Sequence, residues 1–395
     1  MNTDKLGDLV RITIGRTPSR SNSDLWDKNG EAANVWLSIA DLLNAEGKVV
    51  SDSREYITDI AAKAFDMVPK GTLLVSFKLT LGRLAFAGQD LRTNEAIAAL
   101  RNDESKILNE YLYYFLSHFD WMSYAAADKK VKGFTLNKAK LYEIEISYPE
   151  SLEEQRRIVA KLDVAFEKIH RATELTQENI KHTEALSQSA LAHVFSKLSS
   201  PKIDQLGNVY DVRDGTHDSP KYQKEGYPLV TSKNLKTGTL SMENVKYISD
   251  FDYLKINERS KVDKGDVLMA MIGTIGNPII VEFNPEFAIK NVALFKPLNG
   301  HDGRFLKYYL QSGYAKRKMN NDAKGTTQRF VSLGYLRSFD FPVVNLEQES
   351  LVIEKLDKIA QATEALDAAY STKLAMLASL KRSMLNQAFS ESAVK

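Results

Sequence analysis

The sequence predicts an α/β (mixed α+β) fold in which two globular domains, related by a pseudo-two-fold axis, are joined by two long helices in an antiparallel coiled coil. Three observations lead there. The 395-residue chain aligns with itself at a shift of about 194 residues. Within each copy, short apolar runs bounded by turn residues give way to one long stretch with helical periodicity. That stretch contains neither Gly nor Pro after its first turn and is rich in Ala, Leu, Glu, Lys and Gln. The expected boundaries are 1–149 and 200–345 for the globules, and 150–199 and 346–395 for the long helices.

The repeat is read from ordered matches. Val68-Pro-Lys-Gly-Thr-Leu-Leu falls on Val262-Asp-Lys-Gly-Asp-Val-Leu, and Thr80-Leu-Gly82 on Thr274-Ile-Gly276. Tyr111-Leu-Tyr-Tyr114 falls on Phe305-Leu-Lys-Tyr308, and Lys161-Leu-Asp163 on Lys355-Leu-Asp357. Near the start the shift is larger, so that Leu6-Gly7 matches Leu206-Gly207. Such small slips are what loop-length changes between two copies of one plan produce.

Within the globules, Val35-Trp-Leu-Ser-Ile, Thr72-Leu-Leu-Val-Ser-Phe, Val267-Leu-Met-Ala-Met-Ile and Ala293-Leu-Phe read as strands, and Glu110–Phe119 and Arg304–Ser312 as helices. In the first long stretch Ile158, Leu162, Ala165, Ile169, Ala172, Ile180, Thr183, Leu186, Ala190 and Val194 form an apolar seam. In the second, Val352, Leu356, Ile359, Thr363, Leu366, Tyr370, Leu377, Leu380 and Met384 do so, with one weak cycle near Lys373 and Leu374. About 45 residues at 1.5 Å each span roughly 65–70 Å. A helix of that length with one apolar stripe requires a partner. Two equivalent helices crossing a two-fold axis perpendicular to it run oppositely, so each is expected to pair antiparallel with the other. Pro149 and Pro342 precede the helices and Pro201 follows the first.

Composition excludes several chemistries. With no cysteine there is no disulfide, thiolate or Cys-based zinc site. No apolar run approaches the ~18 residues of a membrane span, and the start lacks the apolar core of a signal peptide, so a cytoplasmic protein is expected. No phosphate-binding Gly-x-x-x-x-Gly-Lys-Ser/Thr loop and no Gly-x-Ser-x-Gly elbow occurs. The six histidines are scattered at spacings that suit no metal. Asn284-Pro-Glu-Phe287 approximates the Asn-Pro-Pro-Tyr/Phe loop of amino-methyltransferases, but Glu286 stands for the second proline and no glycine-rich methyl-donor loop precedes it. A non-enzyme without cofactors or metal follows.

The net charge of +2 conceals a distribution. Residues 199–345 carry 21 basic and 16 acidic side chains, whereas residues 1–149 carry 19 and 20. Basic clusters in loop-like sequence recur at equivalent places: Lys129-Lys-Val-Lys-Gly-Phe-Thr135 in the first copy, and Ala315-Lys-Arg-Lys318 with Lys324-Gly-Thr-Thr-Gln-Arg329 in the second. Arg, Lys, Asn, Gln, Ser and Thr are the side chains that reach phosphates and base edges. The candidate DNA-contacting residues are therefore Arg16, Thr17, Ser19, Arg20, Lys78, Thr80, Arg83, Lys130, Lys132 and Thr135 in the first copy. In the second they are Arg213, Thr216, Lys221, Lys233, Asn234, Thr274, Lys324, Thr327, Gln328 and Arg329.

Taken together, Leu6-Gly-Asp-Leu, Gly15-Arg-Thr-Pro-Ser19, Val68-Pro-Lys-Gly-Thr-Leu-Leu-Val-Ser, Gly82, Thr93-Asn-Glu-Ala-Ile-Ala-Ala-Leu100, Gly133-Phe-Thr135 and Tyr148-Pro-Glu-Ser-Leu-Glu-Glu-Gln-Arg-Arg-Ile158, with their second-copy partners at Val262 and at Pro342-Val-Val-Asn-Leu-Glu-Gln348, resemble the DNA specificity subunit of type I restriction–modification systems. The resemblance covers nearly the whole chain, and its specificity lies in the ordered set occurring twice. It implies that each globule is a target recognition domain reading one half of a split sequence in double-stranded DNA. It implies that the helices set the spacer and dock two methyltransferase (modification) subunits. Restriction subunits, ATP-dependent translocase-nucleases, would add cleavage. Methyl donor and ATP would bind those partners. Two departures stand out. Gly215-Thr-His replaces Gly15-Arg-Thr-Pro, and Leu346-Glu-Gln348 is one residue shorter than Leu152-Glu-Glu-Gln155, so the second helix is expected to start differently. The rival readings are a coiled-coil scaffold that binds protein without DNA, and a self-contained DNA-modifying enzyme.

Overall fold

The computed structural model describes residues 1–43, 48–126, 136–198, 201–235, 238–325 and 328–390. It divides into two units, Met1–Leu175 with Lys373–Lys395, and Thr176–Thr372.

In the first unit the main sheet has five strands in the order Arg11–Ile14, Ile97–Arg101, Leu73–Ser76, Leu84–Ala87 and Val49–Val50. All neighbours are antiparallel except the last pair. The strand second in that order reads Ile97-Ala-Ala-Leu100 before Arg101, apolar at four successive positions, because both of its faces are covered. Ala98 and Leu100 face a core with Leu73, Val75 and Tyr111, while Ile97 and Ala99 face Leu74, Val35 and Leu37. The second layer is a small sheet ordered Trp26–Asp27, Tyr56–Ile57, Asn34–Leu37, Arg92–Thr93. A two-stranded ribbon, Asn2–Lys5 with Glu145–Tyr148, closes the globule. The expected strands at Val35 and Thr72 and the helix at Glu110 are present as Asn34–Leu37, Leu73–Ser76 and Asn109–His118.

The second unit repeats the plan. Its main sheet runs Tyr210–Asp214, Val292–Pro297, Val267–Ala270, Gly276–Ile280, with Phe295 opposite both Val212 and Val267. Lys246–Ile248, Tyr227–Thr231 and Ala288–Lys290 form the smaller sheet, and Lys202–Gln205 pairs with Asp340–Val343. The helix Gly303–Gln311 takes the place of Asn109–His118.

The two long helices are Leu152–Ser196 and Leu346–Ser390. They begin at equivalent positions of the repeat, with Glu349 at the place of Gln155, so no residue is missing and the second helix starts as the first does, contrary to expectation. Buried positions on the first follow a heptad line through Gln155, Leu162, Ile169, Thr176 and Thr183. In the first unit Ile158, Leu162 and Phe166 share a core with Met384, Leu385, Ala388 and Phe389, and Lys381 lies over the Phe166 ring. The start of the first helix thus packs with the end of the second, as antiparallel helices do. In the second unit Leu191, Val194 and Phe195 share a core with Val352, Ile353, Leu356 and Ile359. Three seam positions read from the sequence lie elsewhere: Leu186, Leu366 and Leu380 are exposed. Thr183 and Thr363, also read as seam positions, are buried as expected, their hydroxyls satisfied by the carbonyls of Asn179 and Ile359 one turn back.

Each helix is tied to its globule by polar contacts at matching positions. Gln155 is fully buried. Its Oε1 accepts from the Leu108 amide at 2.8 Å, and its Nε2 donates to the carbonyls of Lys106 and Pro149, both at 2.8 Å. At the same place in the second copy, Glu349 accepts from the Asp302 amide at 2.6 Å and pairs with His301 Nδ1 at 2.6 Å.

Candidate nucleic-acid interface

The first-copy loop starting at Gly15 lies directly on backbone. The Gly15 amide donates to the Ile97 carbonyl at 3.4 Å and the Arg16 amide to the Thr93 carbonyl at 2.8 Å. A Cβ on Gly15 would overlap that Thr93 carbonyl, so only glycine lets the loop cross there. Trp36 Nε1 donates to the Arg16 carbonyl at 2.9 Å, and Trp26 Nε1 to the Ser19 carbonyl at 3.1 Å. Thr17 donates its hydroxyl to Glu95, whose carboxyl is thereby held below the usual carboxylate range. Arg20 is gripped from two sides: both terminal nitrogens bond Glu55, and the guanidinium lies 3.9 Å from the Trp26 ring centroid. Arg20 therefore fastens the loop, whereas Arg16 and Ser19 are exposed on it.

The turn between strands Leu73–Ser76 and Leu84–Ala87 carries Lys78, Thr80 and Arg83. Ser76 Oγ donates to the Thr80 carbonyl at 2.5 Å and accepts from the Arg83 amide at 3.0 Å. The Phe77 amide donates to Ala96, next to Glu95, which brings this turn beside the Gly15 loop. The Leu136 amide donates to the Phe77 carbonyl at 3.0 Å, anchoring the chain that follows the first basic cluster to the same turn. Lys130, Lys132 and Thr135 lie outside the described residues.

The second copy uses the same framework with other side chains. The Gly215 amide donates to Val292 and the Thr216 amide to Ile289, both at 3.0 Å, and a Cβ on Gly215 would overlap the Ile289 carbonyl. Here Asp214, which is buried, holds His217 Nε2 at 2.9 Å and the Arg259 guanidinium, and His217 Nδ1 lies 2.7 Å from Asn291 Oδ1. Arg213 is paired with Asp211. Asn234 is buried: its Oδ1 accepts from the Thr231 amide and hydroxyl, and its Nδ2 donates to the Ser241 carbonyl. Arg213 and Asn234 thus shape the fold around the loop, while Lys221 and Lys233 are exposed.

The equivalent turn, Met271–Gly276, carries exposed Thr274. The Val331 amide donates to Met271 at 3.0 Å and the Gly273 amide to Arg329 at 2.9 Å, and Lys324 and Phe330 exchange both backbone bonds. Lys324, Gln328, Arg329 and Thr274 are therefore brought together, with Arg329 also donating to the Asn320 carbonyl. Thr327 lies outside the described residues. Sequence reasoning missed the carboxylates Glu55, Glu95 and Asp214. Arg20, Thr17 and Arg259, which they hold, are 35 to 78 residues away in the chain, so spacing carried no signal for those pairings; His217, three residues from Asp214, is the local exception.

Two copies of a glycine-anchored loop beside a strand-connecting turn, each on a sheet-rich globule tied to a long helix, describe a duplicated module. The family model described as "Type I restriction modification DNA specificity domain" matches residues 1–181 and 202–374, and the chain belongs to that family. It is 26% identical over 287 residues to the type I restriction enzyme MjaIX specificity subunit of Methanocaldococcus jannaschii, a match covering 65% of this chain and 64% of that relative, a little under two thirds of its length. Among solved structures, a chain from work on complex assembly and conformational transition of the type I R-M system superposes with a TM-score of 0.76, at 21% identity, over 98% of this chain and 97% of that one. The HsdS subunit of Thermoanaerobacter tengcongensis superposes with a TM-score of 0.56, at 20% identity, over 98% and 96%. These likenesses show the fold. Among the described residues no helix is long and apolar enough to cross a membrane, and no three His, Asp or Glu side chains are grouped to hold a metal ion.

Proposed function

We propose that the chain is a non-catalytic, sequence-specific DNA-binding subunit of a type I restriction–modification complex in the cytoplasm. Residues 1–149 and 200–345 act as two target recognition domains, each reading one half of a bipartite duplex target. The observation that carries this reading is the paired loop framework: backbone bonds at Gly15 and Gly215 repeat, while the side chains they present differ. A constant scaffold with variable polar side chains is what direct readout of two different half-sites requires. The long helices, 150–199 and 346–395, set the spacer and dock two modification subunits, and restriction subunits join that assembly. Arg16, Ser19, Lys78, Thr80 and Arg83 in one copy, and Thr216, Lys221, Lys233, Thr274, Lys324, Gln328 and Arg329 in the other, are the side chains that meet DNA. Lys130, Lys132, Thr135 and Thr327 extend the same two clusters.

The test exchanges residues 201–343 for the equivalent domain of a relative, in the full chain assembled with its modification subunits. Methylation mapping is expected to show one half of the recognised sequence altered and the other retained. Alteration of both halves overturns the division of labour. Absence of any salt-dependent binding to duplex DNA overturns the DNA reading in favour of a protein scaffold.

A further inference from the structure

Leu79 sits at the tip of the Lys78–Arg83 turn with φ +64° and is 74% exposed. Seven non-glycine residues among those described have positive φ. Four of them are asparagines, which tolerate that region, Glu104 accepts a bond from the Asn109 amide, and Ala33 is a small residue whose amide closes a turn on the Gly30 carbonyl at 3.4 Å. Leu79 is held there by backbone bonds of its turn, the Thr80 amide donating to the Lys78 carbonyl at 2.7 Å, and its exposed side chain plays no part in them. A left-handed backbone is unfavourable for a branched residue, and an exposed side chain returns little by burial.

The repeat supplies an internal control. The positive φ values at Leu79 and Gly82 recur at Gly273, +79°, and Gly276, +101°. The second copy thus places glycine where the backbone calls for glycine, and the first copy places leucine on the same backbone shape. Folding does not explain that choice. Strain kept at an exposed tip points to a bound partner. The tip is flanked by Lys78 and Arg83, neither of them in an ion pair among the described residues, and by Thr80. Those flanks suit a phosphate backbone, and the one apolar feature that a duplex shows in its major groove is the thymine C5-methyl group.

We infer that Leu79 is a specificity-determining residue of the first recognition domain, making apolar contact with a thymine methyl group in its half-site. This rests on the DNA-reading function proposed above. The experiment selects bound duplexes from a randomised library with the full chain, the Leu79→Gly variant and the Leu79→Asn variant, which keeps the left-handed backbone with a polar tip. The parent is expected to select a bipartite motif, and both variants to lose preference for one T·A pair in one half only. Replacing that thymidine by deoxyuridine is expected to weaken the parent roughly three- to fivefold, the effect of one buried methyl group, and to leave Leu79→Gly unchanged. Leu79→Gly is expected to melt no lower than the parent, and should it fail to fold, Leu79→Asn carries the comparison. A motif retained unchanged by the variants, or a half-site without thymine, overturns this inference alone. Selection of no motif by the parent overturns the DNA reading itself.

Discussion

The Tyr308 hydroxyl donates a hydrogen bond to Asp357 on the second long helix at 2.6 Å, and Tyr114 does the same to Asp163 on the first at 2.5 Å. Burial, reinforced by the carboxylate, pushes both tyrosine hydroxyls well above their ordinary pKa, so both stay protonated as donors across the physiological range. A cation completes each contact: Lys48 beside Asp163, and Arg304 at 2.9 Å from Asp357. These are the points at which each long helix is fastened to its own globule. Tyr308→Phe is therefore expected to lower stability by about 1.5–3 kcal/mol, the range for a hydrogen bond to a charged group, as read by urea denaturation of the full chain. An unchanged midpoint and slope would remove this contact from the account.

The Gln155 clamp predicts a larger loss. Gln155→Leu strips partners from one buried amide and two carbonyls. Each unsatisfied buried group costs about 1–3 kcal/mol, so the variant is expected to lose about 2–4 kcal/mol after local relaxation. Urea denaturation measures this, with Glu153→Leu on the exposed face as the control expected to stay within about 0.5 kcal/mol of the parent.

The two glycine crossings predict a functional loss confined to one half-site each. Gly15→Ala forces a methyl group into the Thr93 carbonyl and Gly215→Ala into that of Ile289. Overpacking of this kind costs about 1–3 kcal/mol, and here the loop is the part able to move. Methylation mapping is expected to show one relaxed half-site for each substitution, and different halves for the two.

Arg16 and Arg20 are separated by what already holds them. Arg20 is bonded to Glu55 and stacked on Trp26. Arg20→Ala is expected to lower the melting temperature. Arg16→Ala is expected to leave melting unchanged and to reduce the slope of log affinity against log salt by about one, as loss of one phosphate contact does. Equal effects on melting would refute the distinction.

The corrected seam is testable by charge. Leu162 and Leu356 are 3% and 2% exposed, whereas Leu186 and Leu380 are 57% and 49% exposed. Aspartate at either buried site is expected to cost about 3–5 kcal/mol through an unpaired buried charge. Aspartate at either exposed site is expected to stay within about 0.5 kcal/mol of the parent. Thermal melts of the four single variants decide the matter.

What the sequence determined by itself is the duplication and its periodicities. Matches such as Tyr111-Leu-Tyr-Tyr114 with Phe305-Leu-Lys-Tyr308 survive in the chain because each helix docks on its own globule by the same residues, and local helical spacing records that directly. The seam was legible to within a few positions for the same reason. Its errors at Leu186, Leu366 and Leu380 arise where a leucine has helical spacing yet lies outside the heptad line that meets another chain segment. Only the tertiary structure decided which cations are committed. Arg20 looks as available in sequence as Arg16, and it differs because Glu55, 35 residues on, comes to rest against it. Asn234 likewise turned inward when Ser241 and Thr231 closed around it. Periodicity is a property of neighbours along the chain, so sequence carries it. Neutralisation of a charge depends on residues brought together by packing, and no spacing in the chain encodes that.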